Sequence, residues 1–195
     1  MEKIIELDKK ILVWLNSFHL DWLDPIMLQI TQTQFWIPLY LFLIYLIFRN
    51  YNNKAWIVLA GVALAILLAD QITSSLMKPF FARLRPSQEP TLTGIVHLVN
   101  EYKGGLYGFA SSHAANTFAT AIFVWLLFKD KYRWIFLVFI WAVLMTYTRI
   151  YLGVHYPGDI IVGGIIGLLS GWAGYRFYLF LDSKIKFKTE EEALD

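Results

Sequence analysis

The chain alternates long apolar stretches with short polar segments. Five of the stretches approach the length of about 20 residues that a helix needs to cross roughly 30 Å of hydrocarbon. They occupy residues 34–48, 55–77, 114–128, 132–151 and 159–181. This pattern predicts an all-α fold, an integral membrane helical bundle with five transmembrane helices.

The segment before the first span, residues 1–32, has a different pattern. Apolar side chains recur there at helical spacing on one face, and charged side chains occupy the other face. Amphipathic helices of this kind lie in the membrane interface. Asp24 followed by Pro25 is typical of a helix N-terminus and predicts a second short helix. The alternative is that this segment crosses the membrane weakly, which would give six spans.

The predicted spans also determine which polar segments share a side of the membrane. The segments after residue 77, before residue 114 and between residues 151 and 159 all lie on one side. Positive charges accumulate on the cytoplasmic side of membrane proteins, so the other side is predicted to be cytoplasmic, with residues 182–195 as a tail. The shared side then faces outward. The basic residues on the cytoplasmic side are Arg49, Lys54, Lys129, Lys131, Arg133, Lys184, Lys186 and Lys188.

Composition supports a membrane protein with one domain. Hydrophobic residues make up 57% of the 195 positions and charged residues 16%, which is more apolar surface than a soluble domain of this size can bury. No linker-like stretch divides the chain, so we expect a single domain over residues 1–195. The formal charge of +2 is too small to indicate a nucleic-acid partner. The absence of cysteine excludes disulfides, thiolate metal sites and cysteine nucleophiles.

The outward side carries three clusters of polar residues, and the first follows the second span. Lys78, Arg83 and Arg85 place three cations within eight residues there. By itself this cluster is equally typical of a charged flank that anchors the end of a membrane helix. It becomes informative only together with the other two clusters.

The second cluster, Ser111-Ser112-His113, stands at the start of the third span. Free backbone N–H groups at a helix start, reinforced by the helix dipole, bind phosphate well. The serines are also typical N-cap residues, which is compatible with a phosphate site. An imidazole at this boundary is an unusual choice for packing alone, so His113 is a candidate for chemistry.

The third cluster lies between the fourth and fifth spans and contains Arg149, His155, Pro157 and Asp159. Pro157 suits the first turn of the fifth span, so His155 lies just outside that helix. A carboxylate four residues on can accept a hydrogen bond from one ring nitrogen and leave the other free to attack. Asp159 would also suit the positive end of the helix dipole, which is the purely structural interpretation.

Together the clusters supply two histidines, a carboxylate and at least three cations on one side of the membrane. Phosphoryl transfer needs a nucleophile, a proton donor for the leaving oxygen and positive charge around the phosphate oxygens. A non-enzymatic transporter is the alternative, but these charges cluster at one boundary rather than along a path through the bundle. The sequence therefore favours an enzyme that acts on a phosphate group.

The order and spacing of these residues resemble the motifs of the type 2 phosphatidic acid phosphatase superfamily, which also includes soluble vanadium haloperoxidases. The resemblance covers residues 65–171, and the high hydropathy excludes a soluble haloperoxidase. Three positions depart from the usual motifs: Ala110 replaces proline, Ser112 replaces glycine and Thr148 replaces serine. The motif residues are, in order, Lys78, Arg85 and Pro86, then Ser111 and His113, then Arg149, His155 and Asp159.

The resemblance implies a lipid phosphatase that needs no metal or other cofactor. His155 would attack phosphorus and form a phosphohistidine, with Asp159 orienting its ring. His113 would protonate the leaving lipid oxygen and then activate water. The residues that would bind phosphate are Lys78, Arg85, Ser111, Ser112 and Arg149.

The resemblance also implies a location and a range of substrates. We expect a multi-pass protein of the bacterial inner membrane, with membrane lipids around it and an active site facing the periplasm. Undecaprenyl diphosphate is the first expectation, because one modest outer segment, residues 87–108, suits a compact diphosphate on a single tail. The alternatives are a lipid A phosphatase, a phosphatidylglycerophosphate or phosphatidic acid phosphatase, and a lipid phosphotransferase. The oligomeric state stays open.

Three further features carry weaker predictions. Residues 87–108 form a loop long enough to be a lid over the headgroup pocket. Asp70, deep in the second span, is expected to pair with Arg149 or with a tyrosine hydroxyl. A stripe of small residues in the fifth span is expected to pack inside the monomer rather than in a dimer. This stripe consists of Gly163, Gly164, Gly167, Gly171 and Gly174.

Overall fold

The computed structural model describes residues 2–191, with side chains to residue 185, and these residues are mostly helical. Their α-helices are joined by short 3-10 turns and by one irregular outer loop. The last helix continues past the predicted end of the fifth span to Glu191, and residues 192–195 of the predicted tail lie outside the described residues. The helices are α1 (Glu2–Asn16), α2 (Asp24–Ile30), α3 (Ile37–Tyr51), α4 (Ala55–Asp70), α5 (Lys78–Phe81), α6 (Ser112–Phe128), α7 (Leu137–Tyr151) and α8 (Pro157–Glu191).

Each predicted span corresponds to a helix of the bundle, namely α3, α4, α6, α7 and α8. By length and composition, three helical segments can cross a membrane: Thr33–Phe81, Arg133–Tyr151 and Pro157–Ile185. The first of these contains both α3 and α4, which a non-helical backbone at Asn52 (φ 47°, ψ −125°) separates. The helix Ser112–Phe128 is apolar but shorter. The prediction of an all-α membrane bundle is confirmed.

Contacts at the helix ends show that consecutive helices run in opposite directions. At the end of α3, the Tyr51 hydroxyl donates to the carbonyl of Leu127, near the end of α6. Beside it, Lys54 at the start of α4 pairs with Asp182 of α8 at 2.6 Å. From there α4 leads back to Lys78 at the other end of the bundle. The three polar clusters therefore share one end, as the span count predicts.

The glycine stripe lets α8 pack directly on α6 and α4. A Cβ atom at Gly167 would collide with the backbone carbonyl of Ala115, and one at Gly171 would collide with that of Ala119. One at Gly174 would meet the carbonyl of Gly61 on α4. Small residues allow this close approach between membrane helices. The stripe is thus used inside the monomer, as predicted.

A π-helical turn, Gln71–Met77, continues α4 toward the polar clusters and contains the partner of Asp70. The Ser74 hydroxyl donates to Asp70 at 3.0 Å. The predicted pairing of Asp70 with Arg149 or a tyrosine is therefore wrong. Ser74 lies one turn further along the same helix, so its hydroxyl reaches the carboxylate without any partner from another helix.

The helices α1 and α2 lie across the end of the bundle that carries the polar clusters. The Asn16 side chain, at the end of α1, donates to the carbonyls of Ile150 and Tyr151 at the end of α7. The Tyr151 hydroxyl in turn donates to Asp24 at 2.6 Å. Side-chain capping of this kind fixes both short helices against the bundle.

Candidate active site

The three polar clusters meet where α6 and α8 begin. The backbone N–H of Ser111 donates to the carbonyl of Asp159 at 3.0 Å, which ties the second cluster to the third. Ser111 is also the N-cap of α6, and its hydroxyl accepts from the N–H of Ala114. An antiparallel bridge between Leu84 and Tyr107 joins the first cluster to the outer loop. The segments that carry the clusters are therefore fixed to one another by backbone contacts.

His155 lies in the short turn between α7 and α8 and is only 2% exposed. Its Nδ1 is 3.3 Å from the Asp159 carboxylate, and its Nε2 is 3.2 Å from Nη1 of Arg85. A carboxylate can only accept and a guanidinium can only donate, so the proton belongs on Nδ1. The Nε2 lone pair then points toward the cations.

The surroundings of His155 keep its ring neutral. Burial lowers the pKa of His155 well below its usual range, and the charges of Arg85 and Arg149 lower it further. A neutral imidazole keeps the lone pair that a nucleophile needs. The geometry and the charge of this site thus leave the lone pair of Nε2 available.

Asp159, in the first turn of α8, is fully buried and has several partners. One carboxylate oxygen accepts from the N–H of Tyr156 at 3.0 Å and faces His155. The other accepts from Arg83 at 2.8 Å. The sequence marked Arg83 only as one of three neighbouring cations, and gave no sign of this contact. A buried carboxylate without such donors would be strongly disfavoured.

Arg85 is held by the outer loop. Its Nε donates to the carbonyl of Tyr107 at 3.1 Å, and its backbone N–H donates to that of Leu106. Burial and the nearby Arg149 lower the pKa of Arg85, but a guanidinium is basic enough to stay charged. Residues 87–108 therefore fold against the active site, where the sequence predicted a lid.

Arg149, near the end of α7, is 3% exposed and incompletely bonded. Its Nη1 donates to the hydroxyl of Thr31 at 2.7 Å, and its Nη2 donates to that of Tyr102 at 3.3 Å. Burial alone would raise the pKa of Tyr102, but the charges of Arg149 and Arg85 outweigh it and lower that pKa. The buried Nε of Arg149 has no partner among the described residues. An unpaired guanidinium N–H suits a phosphate oxygen.

His113, in the first turn of α6, lines a cavity of about 350 Å³ that extends into the bundle between α3, α4, α6 and α7. It lies near enough to His155, Arg85 and Arg149 to interact with them electrostatically. Asn116, one turn along α6, lines the same cavity, and its side-chain amide oxygen, Oδ1, is buried without a partner in the described part of the chain. The remaining lining residues are Thr33, Tyr40, Ile66, Thr117, Thr120 and Met145.

All the residues that the sequence singled out lie at this end of the bundle. Ser112 differs from the rest, because its hydroxyl accepts hydrogen bonds from Lys78 at 2.6 Å and from Thr73 of the π-helical turn at 2.9 Å. Asp8 of α1, which the sequence places on the charged face of an interfacial helix, lies beside the site as the second partner of Arg83. Within residues 2–185 no cluster of three or more His, Asp or Glu side chains has the arrangement of a metal site.

Comparison with known proteins identifies the family. The model of the PAP2 superfamily matches residues 54–182, which include every motif residue described above. The chain belongs to the PAP2 superfamily. It is 40% identical to the lipid A 4'-phosphatase of Bacteroides thetaiotaomicron over 97% of this chain and 84% of the relative. It is 37% identical to the lipid A 4'-phosphatase of Porphyromonas gingivalis over 94% and 78%.

Other relatives of this PAP2 chain match less closely. An undecaprenyl-diphosphatase of Sulfolobus acidocaldarius is 33% identical over 68% of this chain and 58% of the relative. Among solved structures, LpxE of Aquifex aeolicus superimposes with a TM-score of 0.68 at 26% identity, covering 87% of this chain and 95% of that one. The predicted superfamily and the predicted class, a membrane lipid phosphatase, are confirmed.

Proposed function

We propose that this lipid phosphatase removes phosphate from lipid A, at the position named for the 4'-phosphatases that it resembles. The observation that carries the proposal is identity of 40% and 37% to those two relatives over nearly the whole chain. The undecaprenyl-diphosphatase matches a smaller part of the chain at lower identity. This reverses the order of substrates expected from the sequence, in which the short outer loop favoured undecaprenyl diphosphate.

The cavity beside His113 supports the reversed order. It is lined by residues of four helices rather than by the outer loop, so the length of that loop carries no information about its width. The unpartnered side-chain Oδ1 of Asn116 can accept a hydrogen bond from a sugar hydroxyl or an amide N–H. Lipid A offers such donors and a polyprenyl chain does not. A buried polar atom without a partner disfavours the ligand that leaves it unpaired.

The proposed mechanism begins with attack by Nε2 of His155 on phosphorus. The N–P bond forms as the P–O bond to the lipid breaks, and Arg85 moves its N–H from Nε2 to a phosphate oxygen. Asp159 stabilises the positive charge that develops on the ring through Nδ1. The free Nε of Arg149 and the ammonium of Lys78 bind the other phosphate oxygens.

His113 completes the reaction in this proposal. Its proton passes to the leaving lipid oxygen. Burial and the charge of Arg149 lower the pKa of His113 to about 3 in the free protein, and the negative charge of the bound phosphate raises it toward the protonated ring that this step needs. The neutral ring then takes a proton from water, which attacks the phosphohistidine and releases inorganic phosphate. Three cations neutralise the phosphate throughout, so no step is assigned to a metal ion.

The proposed location is the bacterial inner membrane, with the active site facing the periplasm. The support is the distribution of charge along the bundle. The Lys54–Asp182 pair lies at the end opposite the site, where the surplus of basic residues also falls. The predicted substrate partner, a lipid phosphate, would then enter from the outer leaflet.

The test of substrate is a panel of lipid phosphates with purified protein in one detergent. We expect kcat/KM for lipid A to exceed that for undecaprenyl diphosphate at least about tenfold, which corresponds to ~1.4 kcal/mol of transition-state binding. A kcat/KM for undecaprenyl diphosphate that equals or exceeds the kcat/KM for lipid A would overturn the proposal. Measuring inorganic phosphate distinguishes hydrolysis from transfer to a second lipid.

The test of the nucleophile uses rapid quench with labelled substrate. Wild-type protein should yield an acid-labile phosphoenzyme, and His155→Ala should yield none and lose at least ~10³-fold in turnover. His19→Ala is the matched control, because the His19 imidazole bonds to the backbone carbonyl of Asn16 at the end of α1 rather than to the reacting groups. Turnover of His155→Ala at the wild-type rate would refute the assignment.

The test of the cation roles is an assay with excess chelator and with vanadate. Activity should persist in chelator, because Lys78, Arg85 and Arg149 supply the positive charge. Vanadate, which mimics phosphate, should inhibit. Activity that disappears in chelator and returns with Mg²⁺ would show that these residues do not suffice.

A further inference from the structure

Arg83 lies between two carboxylates that come from different parts of the chain. Its Nη1 donates to Asp159 at 2.8 Å, and its Nη2 donates to Asp8 of α1 at 2.8 Å. The guanidinium also stacks on the ring of Tyr156, 3.9 Å from its centroid. A planar guanidinium held on two edges and one face has a single orientation. Arg83 therefore transmits the position of Asp8 to Asp159.

One carboxylate oxygen of Asp159 contacts Arg83, and the other faces the proposed nucleophile. Oδ1 accepts from Arg83, whereas Oδ2 accepts from Tyr156 and faces Nδ1 of His155. The orientation of the carboxylate thus sets the orientation of the imidazole. Asp159 is fully buried, so its charge depends on the cations that face it. These are Arg83 and, at greater distance, Arg85 and Lys78.

Asp8 has a second contact with the same region. Its Oδ1 accepts from the N–H of Gly158 at 2.8 Å, in the first turn of α8. That N–H has no acceptor within its own helix. A Cβ at Gly158 would lie 2.8 Å from the Asp8 carboxylate, so glycine is needed for the approach. Asp8 therefore fixes both the start of α8 and the arginine beside it.

We propose that Asp8 and Arg83 are positioning residues for His155, so that the N-terminal helix α1 takes part in setting the geometry of the reaction. The proposal rests on the proposed function in one respect, namely that His155 is the nucleophile. Neither residue touches the reacting phosphate; both act through Asp159. Without Arg83, Oδ1 of Asp159 loses its guanidinium donor, and the carboxylate is no longer held in the orientation in which Oδ2 faces Nδ1 of His155.

The first experiment compares Asp8→Asn, Arg83→Gln and Arg83→Lys. Asp8→Asn keeps an acceptor for Gly158 and removes the charge that holds Arg83. We expect kcat to fall about tenfold in Asp8→Asn and more in Arg83→Gln, with KM within about twofold of wild type. Arg83→Lys should recover part of the loss in Arg83→Gln.

The matched control is Glu89→Gln, which breaks another ion pair of α1. Lys9, next to Asp8 in the sequence, lies 3.4 Å from Glu89, and the hydrogen bonds of these two side chains go to Thr91 rather than to Arg83 or Asp159. Glu89→Gln should leave kcat unchanged. If Asp8→Asn is equally silent, α1 only docks on the site and the proposal is overturned.

A double-mutant cycle separates positioning from general destabilisation. Asp8→Asn combined with Arg83→Gln should cost little more than Arg83→Gln alone, because both changes break one chain of contacts. Additive losses would overturn the proposal. The lipid is whichever one the wild-type protein hydrolyses, and His155→Ala is measured in parallel. An active His155→Ala would refute the proposed nucleophile, whereas an inactive His155→Ala with a silent Asp8→Asn refutes only the positioning role.

Discussion

Lys78, at the start of α5, donates a 2.6 Å hydrogen bond to the hydroxyl of Ser112 in the first turn of α6. The hydroxyls of Thr73 and Ser74 lie 2.9 and 2.8 Å from the same oxygen. Ser112 stands where the superfamily motif usually has glycine. In this chain the extra hydroxyl orients the lysine that the proposed mechanism uses to bind phosphate.

Replacement of Ser112 by alanine should weaken substrate binding. The ammonium of Lys78 loses its shortest hydrogen bond, whose net contribution is about 1.5–3 kcal/mol for a charged donor. We expect kcat/KM to fall about 10-fold or more, measured by phosphate release. Ser74→Ala is the control, because Ser74 is 3.4 Å from the ammonium and should matter less. Equal effects of the two changes would contradict an orienting role for Ser112.

The glycine stripe gives a prediction about stability. A Cβ at Gly167 would collide with the carbonyl of Ala115, whereas one at Gly164 would meet ring carbons of Phe118 at 3.4 Å or more, an ordinary contact. Gly167→Ala should therefore destabilise the bundle by about 1–3 kcal/mol, and Gly164→Ala by far less. For a chain of this size, each kcal/mol lowers Tm by about 2–4 °C. Thermal unfolding in detergent compares the two; a similar Tm for both would show that α6 and α8 can move apart.

The neutral state of His155 predicts how activity depends on pH. A free histidine has a pKa of about 6.5 and gains its proton as pH falls through that value. Because burial, Arg85 and Arg149 lower the pKa of His155, its ring should stay neutral through this range and gain its proton only at lower pH. The acid limb of kcat/KM should accordingly lie below pH ~6.5.

Arg85→Gln tests the cause of that shift. Removing the neighbouring charge should raise the pKa of His155 and move the acid limb of kcat/KM upward, whatever happens to the absolute rate. An acid limb that stays in place would show that Arg85 does not set the charge of the nucleophile.

Tyr102 predicts how the outer loop contributes. Tyr102→Phe removes the hydroxyl that accepts from Arg149, so this guanidinium becomes less well placed for phosphate. We expect KM to rise about threefold to tenfold with kcat nearly unchanged. Tyr107→Phe is the control, since Tyr107 contacts Arg85 through its backbone carbonyl. A large loss of kcat in Tyr102→Phe would instead indicate that the loop acts on the chemical step.

The sequence predicted the helices and the motif residues because both leave local signals. Hydropathy marks each span, and the short spacing of His155 and Asp159 already implies contact across one helical turn. The pairing of Arg83 with Asp8 leaves no such signal, because 75 positions separate the two residues. Asp8 lies on the charged face of an amphipathic helix, where the sequence pattern predicts contact with water. It gains Arg83 as a partner only because α1 packs against the bundle.

The partner of Asp70 and the order of substrates show two further limits. Asp70 could bond to Ser74 on its own helix or to a residue on another helix, and in the structure it bonds to Ser74. Hydropathy does not indicate which of these partners a carboxylate will have. Substrate size was inferred from the outer loop, whereas the cavity beside His113 is formed by side chains from four helices. Such a surface arises only after the helices pack.

The contact between α6 and α8 begins beside the proposed catalytic residues. Gly163 abuts the carbonyl of Ser111, whose own N–H is bonded to the carbonyl of Asp159. The relative position of His113 and His155 thus depends in part on this main-chain contact between α6 and α8. The lipid-facing sides of α3 and α7 are under no such constraint. One reaction can thus be retained while the membrane surface diverges, which gives the scaffold a route to lipids with very different tails.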